Sequence, residues 1–180
     1  MIVEDVFIEG LKIIKPKVFE DERGYFFESF NKAKYISNGI NESFVQDNLS
    51  MSQKGVVRGL HFQNPPFAQG KLVQVIRGSV LDVAVDIRKE SKTYGKHFSI
   101  ELNATNKTQF FIPPGFAHGF ATLENNTIFS YKCTQPYNKE SEGAIFWNDP
   151  DLEIDWRVDK PIISEKDEIA DSFSKLKSKF

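Results

Sequence analysis

Short hydrophobic runs separated by turn signals dominate the middle of the chain, from residue 55 to residue 137. Helical periodicity is absent there, and Pro, Gly and Asn mark the breaks between runs. The predicted strands lie within residues 55–63, 71–78, 79–88, 97–103, 108–114, 118–125 and 127–137. Short strands at this spacing predict an all-β sandwich or barrel.

Outside this region the pattern predicts smaller elements. Residues 1–20 are predicted to form one or two strands broken at Pro16, followed by a turn at 21–24 and an aromatic strand at 25–30. A helix is predicted at 31–40, closed by Asn38-Gly39, and a polar strand or loop at 44–50. The charged, turn-rich tail is predicted to contain a short helix from Ser164. No repeat, low-complexity tract or linker divides the sequence, so we expect one domain spanning residues 1–180.

Two of the predicted strands carry charged and polar side chains among strand-forming residues. Alternate side chains of a strand share a face, so His61 points the same way as Gln63, and Lys71 points the same way as Val73. Phe62 then points to the opposite face of its run. A base and a cation inside one cavity is one interpretation. Taken alone, such a run also fits a surface strand with solvated charges.

Composition limits the class of protein. The 180 residues are 40% hydrophobic and include 17 Phe, enough for a substantial core. The net charge of -2 lacks the basic excess of a nucleic-acid-binding protein. A single cysteine, Cys133, excludes an intrachain disulfide and fits a reducing compartment. Neither a signal peptide nor an apolar run of about 20 residues occurs, so we expect a cytoplasmic protein that does not contact a membrane.

The most specific local pattern is FIPPGFAHGF at residues 111–120. Its Pro-x-Gly-x-x-His order resembles the second signature of the cupin superfamily, whose members are double-stranded β-helix (jelly-roll) barrels. The prolines and glycine fix a tight turn, after which His118 starts a strand and faces the barrel lumen. The alternative is a hydrogen-bonded core histidine.

Many cupins bind a metal through His-x-His followed by Glu. Here the corresponding residues read His61-Phe62-Gln63, and Lys71 occupies the following region. A lysine is a poor neighbour for a divalent ion, so we expect a barrel without a metal. His97, beside Lys96, is expected to be exposed and without a role.

Ten segments together resemble the dTDP-4-dehydrorhamnose 3,5-epimerase family. They are residues 21–30, 46–48, 58–63, 69–73, 82–88, 112–120, 131–134, 147–150, 154–156 and 164–167. Each is weak alone, but they occur in order and cover almost the whole chain. The resemblance implies cofactor-independent epimerisation at C3 and C5 of a dTDP-linked 4-keto-6-deoxyhexose, in dTDP-L-rhamnose biosynthesis. Such chemistry needs a base on one face of the sugar, an acid on the other, and a cation at the C4 oxygen.

The resemblance also implies catalytic roles. His61 resembles the base, Asp167 its carboxylate partner and Tyr131 the acid, and Lys71 is our choice for stabilising O4. Without the resemblance, Asp167 reads as a surface acid at a helix start and Tyr131 as a strand tyrosine at a barrel mouth.

The predicted substrate-binding residues are Arg23, Glu28, Gln46, Asn48, Arg58, Lys71, His118, Tyr137, Glu142 and Lys166. Arg58 suits the diphosphate because its planar guanidinium can form two parallel hydrogen bonds to phosphate oxygens. Arg23 and Lys166 are second choices. Tyr137 resembles the residue that stacks on thymine. Glu28, Gln46 and Asn48 are candidates for reading the base or the sugar, His118 for a sugar or diphosphate oxygen, and Glu142 matches a family binding position.

The family resemblance further implies a homodimer in which the N-terminal arm, with Arg23 and Glu28, serves the neighbouring subunit's site. Three alternatives remain open at this point. The protein is a mono-epimerase, or it acts on a GDP- or CDP-linked ketosugar, or it is a non-catalytic or metal-dependent cupin.

Overall fold

The structure is a computed structural model that describes residues 1–180. Most of its ordered elements are strands. They are β1 (Ile2–Asp5), β2 (Lys12–Lys15), β3 (Phe19–Asp21), β4 (Gly24–Phe26), β5 (Gln46–Ser52), β6 (Val57–Gln63), β7 (Lys71–Arg77), β8 (Ser79–Asp86), β9 (His97–Asn103), β10 (Gln109–Ile112), β11 (Phe116–Thr122), β12 (Thr127–Cys133) and β13 (Glu142–Ala144). The helices are α1 (Lys32–Ile36), α2 (Glu165–Glu168) and two 3-10 turns at Lys139–Ser141 and Phe173–Lys175.

The strands form two antiparallel sheets and one separate hairpin. The six-stranded sheet has the order β1-β2-β10-β7-β12-β5, and the five-stranded sheet has the order β13-β6-β11-β8-β9. Strands β3 and β4 pair only with each other. Apart from the consecutive pairs β1-β2 and β8-β9, neighbours in each sheet are distant in sequence, as in a jelly roll, and this confirms the predicted all-β, cupin-like fold.

The space between the sheets, which we call the lumen, holds the first part of the core. Strand alternation sends Val73 and Phe129 inward from the six-stranded sheet, and Val80 and Phe120 inward from the five-stranded sheet. Phe120 and Phe129 stack with ring centroids 4.2 Å apart. Tyr131 packs at the edge of this cluster, so the aromatic core holds one wall of the remaining open space.

The C-terminal tail covers the outer face of the five-stranded sheet. Val83 and Val85 of β8 point outward, opposite to Val80, and pack in a second buried cluster with Leu152 and Trp156. The Trp156 indole N–H donates to the carbonyl of Trp147 at 2.9 Å. Burial of these apolar side chains holds the tail against the sheet, and α2 therefore lies beside β6.

Most predicted elements are confirmed, including the strands from residue 55 onward, the helix closed by Asn38-Gly39 and the helix from Ser164. The aromatic strand predicted at 25–30 is wrong beyond Phe26. There Asn31 caps α1 by accepting from the Lys34 N–H, and the chain turns into the helix instead of continuing the strand.

The expectations for two histidines need correction. His118 is the third residue of β11 rather than its start. His97 is half-buried rather than exposed, and burial lowers its pKa. Cys133 is buried and forms no disulfide. The longest helix has five residues, and none is long and apolar enough to cross a membrane.

Candidate active site

A cavity of about 480 Å³ lies between the two sheets and adjoins a smaller one of about 210 Å³. We call them the main lobe and the side lobe. His61, Lys71 and Tyr131 line both. Arg58 and Lys166 line the main lobe, whereas the side lobe is lined by a polar set, Gln46, Asn48, Gln63, Tyr137 and Glu142. Residues 61, 71 and 131 therefore open into one shared space.

The two sheets supply opposite walls of this space. His61 and His118 are cross-strand partners on β6 and β11 of the five-stranded sheet. Lys71 lies on β7 and Tyr131 on β12, neighbouring strands of the six-stranded sheet. An imidazole and a phenol therefore face one cavity from different sheets, which is the arrangement required for proton removal and return on opposite faces of a bound molecule.

The His61 imidazole is held by a buried carboxylate. His61 Nε2 lies 2.6 Å from Asp167 Oδ1, and Asp167 is only 3% exposed. The interpretation of Asp167 as a surface acid is therefore wrong. Because Nε2–H donates to the carboxylate in the neutral ring, Nδ1 carries the lone pair and is the nitrogen able to accept a proton.

Helix α2 and β6 fix the Asp167 carboxylate. The Ser164 hydroxyl accepts from the Asp167 N–H at 3.3 Å, and the Gly59 N–H donates to Oδ2 at 3.4 Å. Burial raises the pKa of Asp167, but the bonds from His61, Gly59 and Ser164 outweigh it and hold the pKa below its usual value. The carboxylate is therefore ionised at neutral pH and able to stabilise an imidazolium.

Gly59 is required for this geometry. Its φ is +127°, and a Cβ at this position would lie 2.5 Å from the Gly119 Cα. The pairing of β6 with β11 shifts register at the same point, between His118 and Phe120. Only glycine allows this backbone conformation and close approach, which turns the Gly59 N–H toward Asp167.

Tyr131 and Lys71, on the six-stranded sheet, are half-buried. Burial raises the pKa of Tyr131, so its phenol keeps its proton at neutral pH. Burial lowers the pKa of Lys71, although the nearby acidic groups Cys133, Asp82 and Glu142 oppose the shift. A cation in this partly desolvated place interacts strongly with any negative charge that develops nearby.

His118 points into the lumen, as predicted, and forms a second histidine–carboxylate pair. Its Nε2 lies 2.9 and 3.0 Å from the two oxygens of Asp82, which is fully buried. Burial lowers the pKa of His118 although Asp82 raises it. Our sequence reasoning did not single out Asp82. The available signal was a carboxylate inside the buried run of β8, since a buried charge needs a partner.

A hydrogen-bonded network crosses the rim of the cavity. The Tyr137 hydroxyl donates to Glu142 Oε2 at 3.1 Å, and Lys166 Nζ lies 2.5 Å from Glu142 Oε1. The Tyr137 N–H donates to Gln46, whose amide donates to Asn48. Burial raises the pKa of Glu142, and the larger combined effect of Lys166 and Tyr137 brings it below its usual value. Glu142 thus joins residues of the two lobes.

Two of the predicted binding residues lie outside both lobes. Arg23 is on the β3–β4 hairpin, where its exposed side chain pairs with Asp21. Glu28 pairs with Lys34 and accepts from Asn31. Neither side chain reaches this chain's own cavity. No group of three or more His, Cys, Asp or Glu side chains is arranged to hold a metal ion.

Fold and site together define a jelly-roll protein with an imidazole and a phenol on opposite walls of its lumen. A family model described as dTDP-4-dehydrorhamnose 3,5-epimerase matches residues 5–175. The chain belongs to the dTDP-4-dehydrorhamnose 3,5-epimerase family, and the resemblance noted in its sequence is confirmed.

Similar proteins match this chain along most of their own length. The dTDP-4-dehydrorhamnose 3,5-epimerase of Methanothermobacter thermautotrophicus is 55% identical over 163 residues, covering 89% of this chain and 88% of that protein. The crystal structure of the Elizabethkingia anophelis enzyme is 51% identical, with a TM-score of 0.92 and 97% of each chain covered. A Legionella pneumophila 3,5-epimerase in complex with dTDP-4-keto-L-rhamnose is 49% identical, with a TM-score of 0.93, covering 97% of this chain and 93% of that one.

Proposed function

We propose that this chain inverts C3 and C5 of dTDP-4-dehydro-6-deoxy-D-glucose to give dTDP-4-dehydro-L-rhamnose, the step that serves dTDP-L-rhamnose biosynthesis. The observation that carries the proposal is that His61, Lys71 and Tyr131 line both adjoining lobes, with the base and the acid on opposite sheets. Family membership supplies the substrate class. No cofactor enters the proposed reaction, since the hydrogens removed are already acidic next to the C4 ketone.

In the proposed step, His61 Nδ1 removes the proton from one carbon next to the ketone. The C–H electron pair forms the enolate double bond, and the carbonyl electrons move to O4, where the Lys71 ammonium stabilises the charge. Tyr131 then protonates the same carbon from the other face, which inverts the centre. Proton exchange with water restores the imidazole and the phenol, and the second centre reacts in the same way.

The nucleotide is proposed to occupy the polar residues near the rim. Arg58 and Lys166 bind the diphosphate, Tyr137 stacks on the thymine, and Gln46 and Asn48 bond to the base or its sugar. Lys166 is already paired with Glu142, so diphosphate binding redirects its ammonium. His118 bonds to a sugar or diphosphate oxygen, oriented by Asp82.

The proposal is tested by running the reaction in deuterium oxide with EDTA and without added cofactor. Label is expected at both C3 and C5 of dTDP-4-keto-6-deoxyglucose. Label at one carbon would make the chain a mono-epimerase, and label at neither would refute the proposed activity. Titration of dTDP, GDP and CDP against protein fluorescence tests the choice of nucleotide, with dTDP expected to bind tightest.

Replacing Lys71 by glutamine is expected to lower kcat by about 100-fold to 1000-fold, because removing one oxyanion donor has costs of this order in other enzymes. Steady-state kinetics measure the change. The matched control is Lys132→Gln. Lys132 follows Tyr131 on β12 but pairs with Asp47 outside both lobes, and its replacement should leave kcat unchanged. An equal loss in both variants would contradict the role of Lys71.

We infer a homodimer in which the arm of one subunit completes the site of the other. Two features support it. Arg23 and Glu28 do not reach their own cavity, and the hairpin beside them exposes Tyr25 and Phe26, which are 55% and 67% exposed. Exposed aromatic side chains are typical of surfaces that bind another chain.

Co-expression of Arg23→Ala and His61→Ala chains tests the exchange. Each variant alone should have little activity at low substrate concentration. In a mixed dimer, one site combines a native His61 with a native Arg23 from the other chain, so random pairing should restore about a quarter of wild-type activity. Activity no higher than the average of the two variants would show that Arg23 acts in its own subunit or not at all.

A further inference from the structure

The inward-facing side of β5 carries one hydroxyl group without a partner. Along this strand Gln46, Asn48, Ser50 and Ser52 alternate with exposed residues and face the lumen. Gln46 donates to Asn48 at 2.9 Å, and Ser52 Oγ accepts from the Arg58 Nε–H at 3.2 Å. The Ser50 hydroxyl is buried, and no protein group hydrogen-bonds to it.

An unsatisfied buried hydroxyl is unfavourable in a folded protein, so each case calls for an explanation. The chain has two, Ser50 and Thr122. Thr122 lies at the end of β11 and lines neither lobe, whereas Ser50 lines the main lobe together with Arg58. Ser50 therefore borders the space that is open to a ligand, and Thr122 provides a natural comparison.

Arg58 identifies the kind of ligand. Its Nε is fixed to Ser52, which follows Ser50 by two residues on the same face of β5, a spacing of about 7 Å along the strand. The Arg58 Nη1 and Nη2 groups make no hydrogen bond to protein and remain available for an anion. An anion held by this guanidinium lies beside the inner face of β5.

We propose that Ser50 is a further substrate-binding residue, whose hydroxyl donates to an oxygen of the diphosphate held by Arg58. The proposal rests on the proposed function. Diphosphate oxygens only accept hydrogen bonds, and a serine hydroxyl rotated about χ1 supplies a donor without adding charge. Arg58 and Ser50 together would then fix the position of the diphosphate as well as balance its charge.

The test measures binding of dTDP and of thymidine, which lacks the diphosphate, by calorimetry. Ser50→Ala is expected to weaken dTDP binding by about 10-fold, the usual range for a lost hydrogen bond to a charged group, and to leave thymidine binding unchanged. Ser50→Thr keeps the hydroxyl and should restore dTDP binding. Thr122→Val removes the other unpaired hydroxyl and should not change dTDP affinity.

The outcomes separate this proposal from the proposed function. Wild-type protein that fails to bind dTDP would refute the function itself. Wild-type binding that Ser50→Ala leaves unchanged would refute only the role of Ser50, as would an equal loss for dTDP and thymidine. If the alanine variant does not fold, Ser50→Cys, which keeps the shape but donates weakly, gives the same comparison.

Discussion

Replacing His61 by alanine is expected to abolish epimerisation while the fold is retained. General-base catalysis contributes about 100-fold to 10,000-fold, and both inverted centres depend on the same imidazole in the proposed reaction. The side chain is 31% exposed and lines a cavity, so its removal leaves no sealed hole in the core. Deuterium incorporation at C3 and C5, followed by NMR, measures the loss, and circular dichroism monitors the fold.

His97→Asn is the matched control for this variant. His97 lies on β9, outside both lobes. Its replacement should leave turnover close to wild type. If His61→Ala retained wild-type turnover, the base would have to be another group, and the pairing with Asp167 would be structural only.

The pairing of His61 with Asp167 shows the limit of local sequence reasoning. The two residues are 106 positions apart, and they meet because the tail packs on the outer face of the five-stranded sheet and carries α2 to β6. Strand alternation predicts that His61 faces inward, but it contains no information about which carboxylate arrives from the tail. That partner was predicted only through the family resemblance.

The strands themselves were predictable because their determinants are local. Turn residues bound each run, and β-branched and aromatic residues fill it, as in β12. The arm was less predictable. YFFESF has the composition of a strand, but β4 ends at Phe26, where the only strand pairing with it, β3, begins. Without a further partner strand, the propensity of residues 27–30 is not enough to extend the pairing.

Contacts between strands that are distant in sequence also explain which residue pairings the sequence did not predict. Asp82 pairs with His118 across neighbouring strands 36 positions apart, and Ser52 meets Arg58 only because β5 and β6 belong to facing sheets. Polar residues in apolar strands show that some partner exists. Their identity follows from sheet order, which the hydrophobic pattern does not contain.

Replacing Tyr131 by phenylalanine is expected to separate proton exchange from inversion. The variant keeps the ring that packs at the edge of the lumen core and loses only the hydroxyl, so stability should change little. His61 remains able to remove a proton and return one from solvent to the same face. Deuterium should therefore still enter the substrate, without inversion, while product formation falls by about 100-fold to 10,000-fold.

The Tyr131→Phe result also distinguishes an acid from a residue that only shapes the cavity. A shaping role would lower exchange and inversion together, because the substrate would be misplaced relative to His61 as well. Tyr94→Phe is the control, since Tyr94 packs on Phe173 outside both lobes and its hydroxyl should be dispensable. Exchange that persists with retention in Tyr131→Phe alone would require two proton-transfer groups on opposite faces of the sugar, which is what the two sheets provide. Inversion at the wild-type rate would remove the phenol from the mechanism.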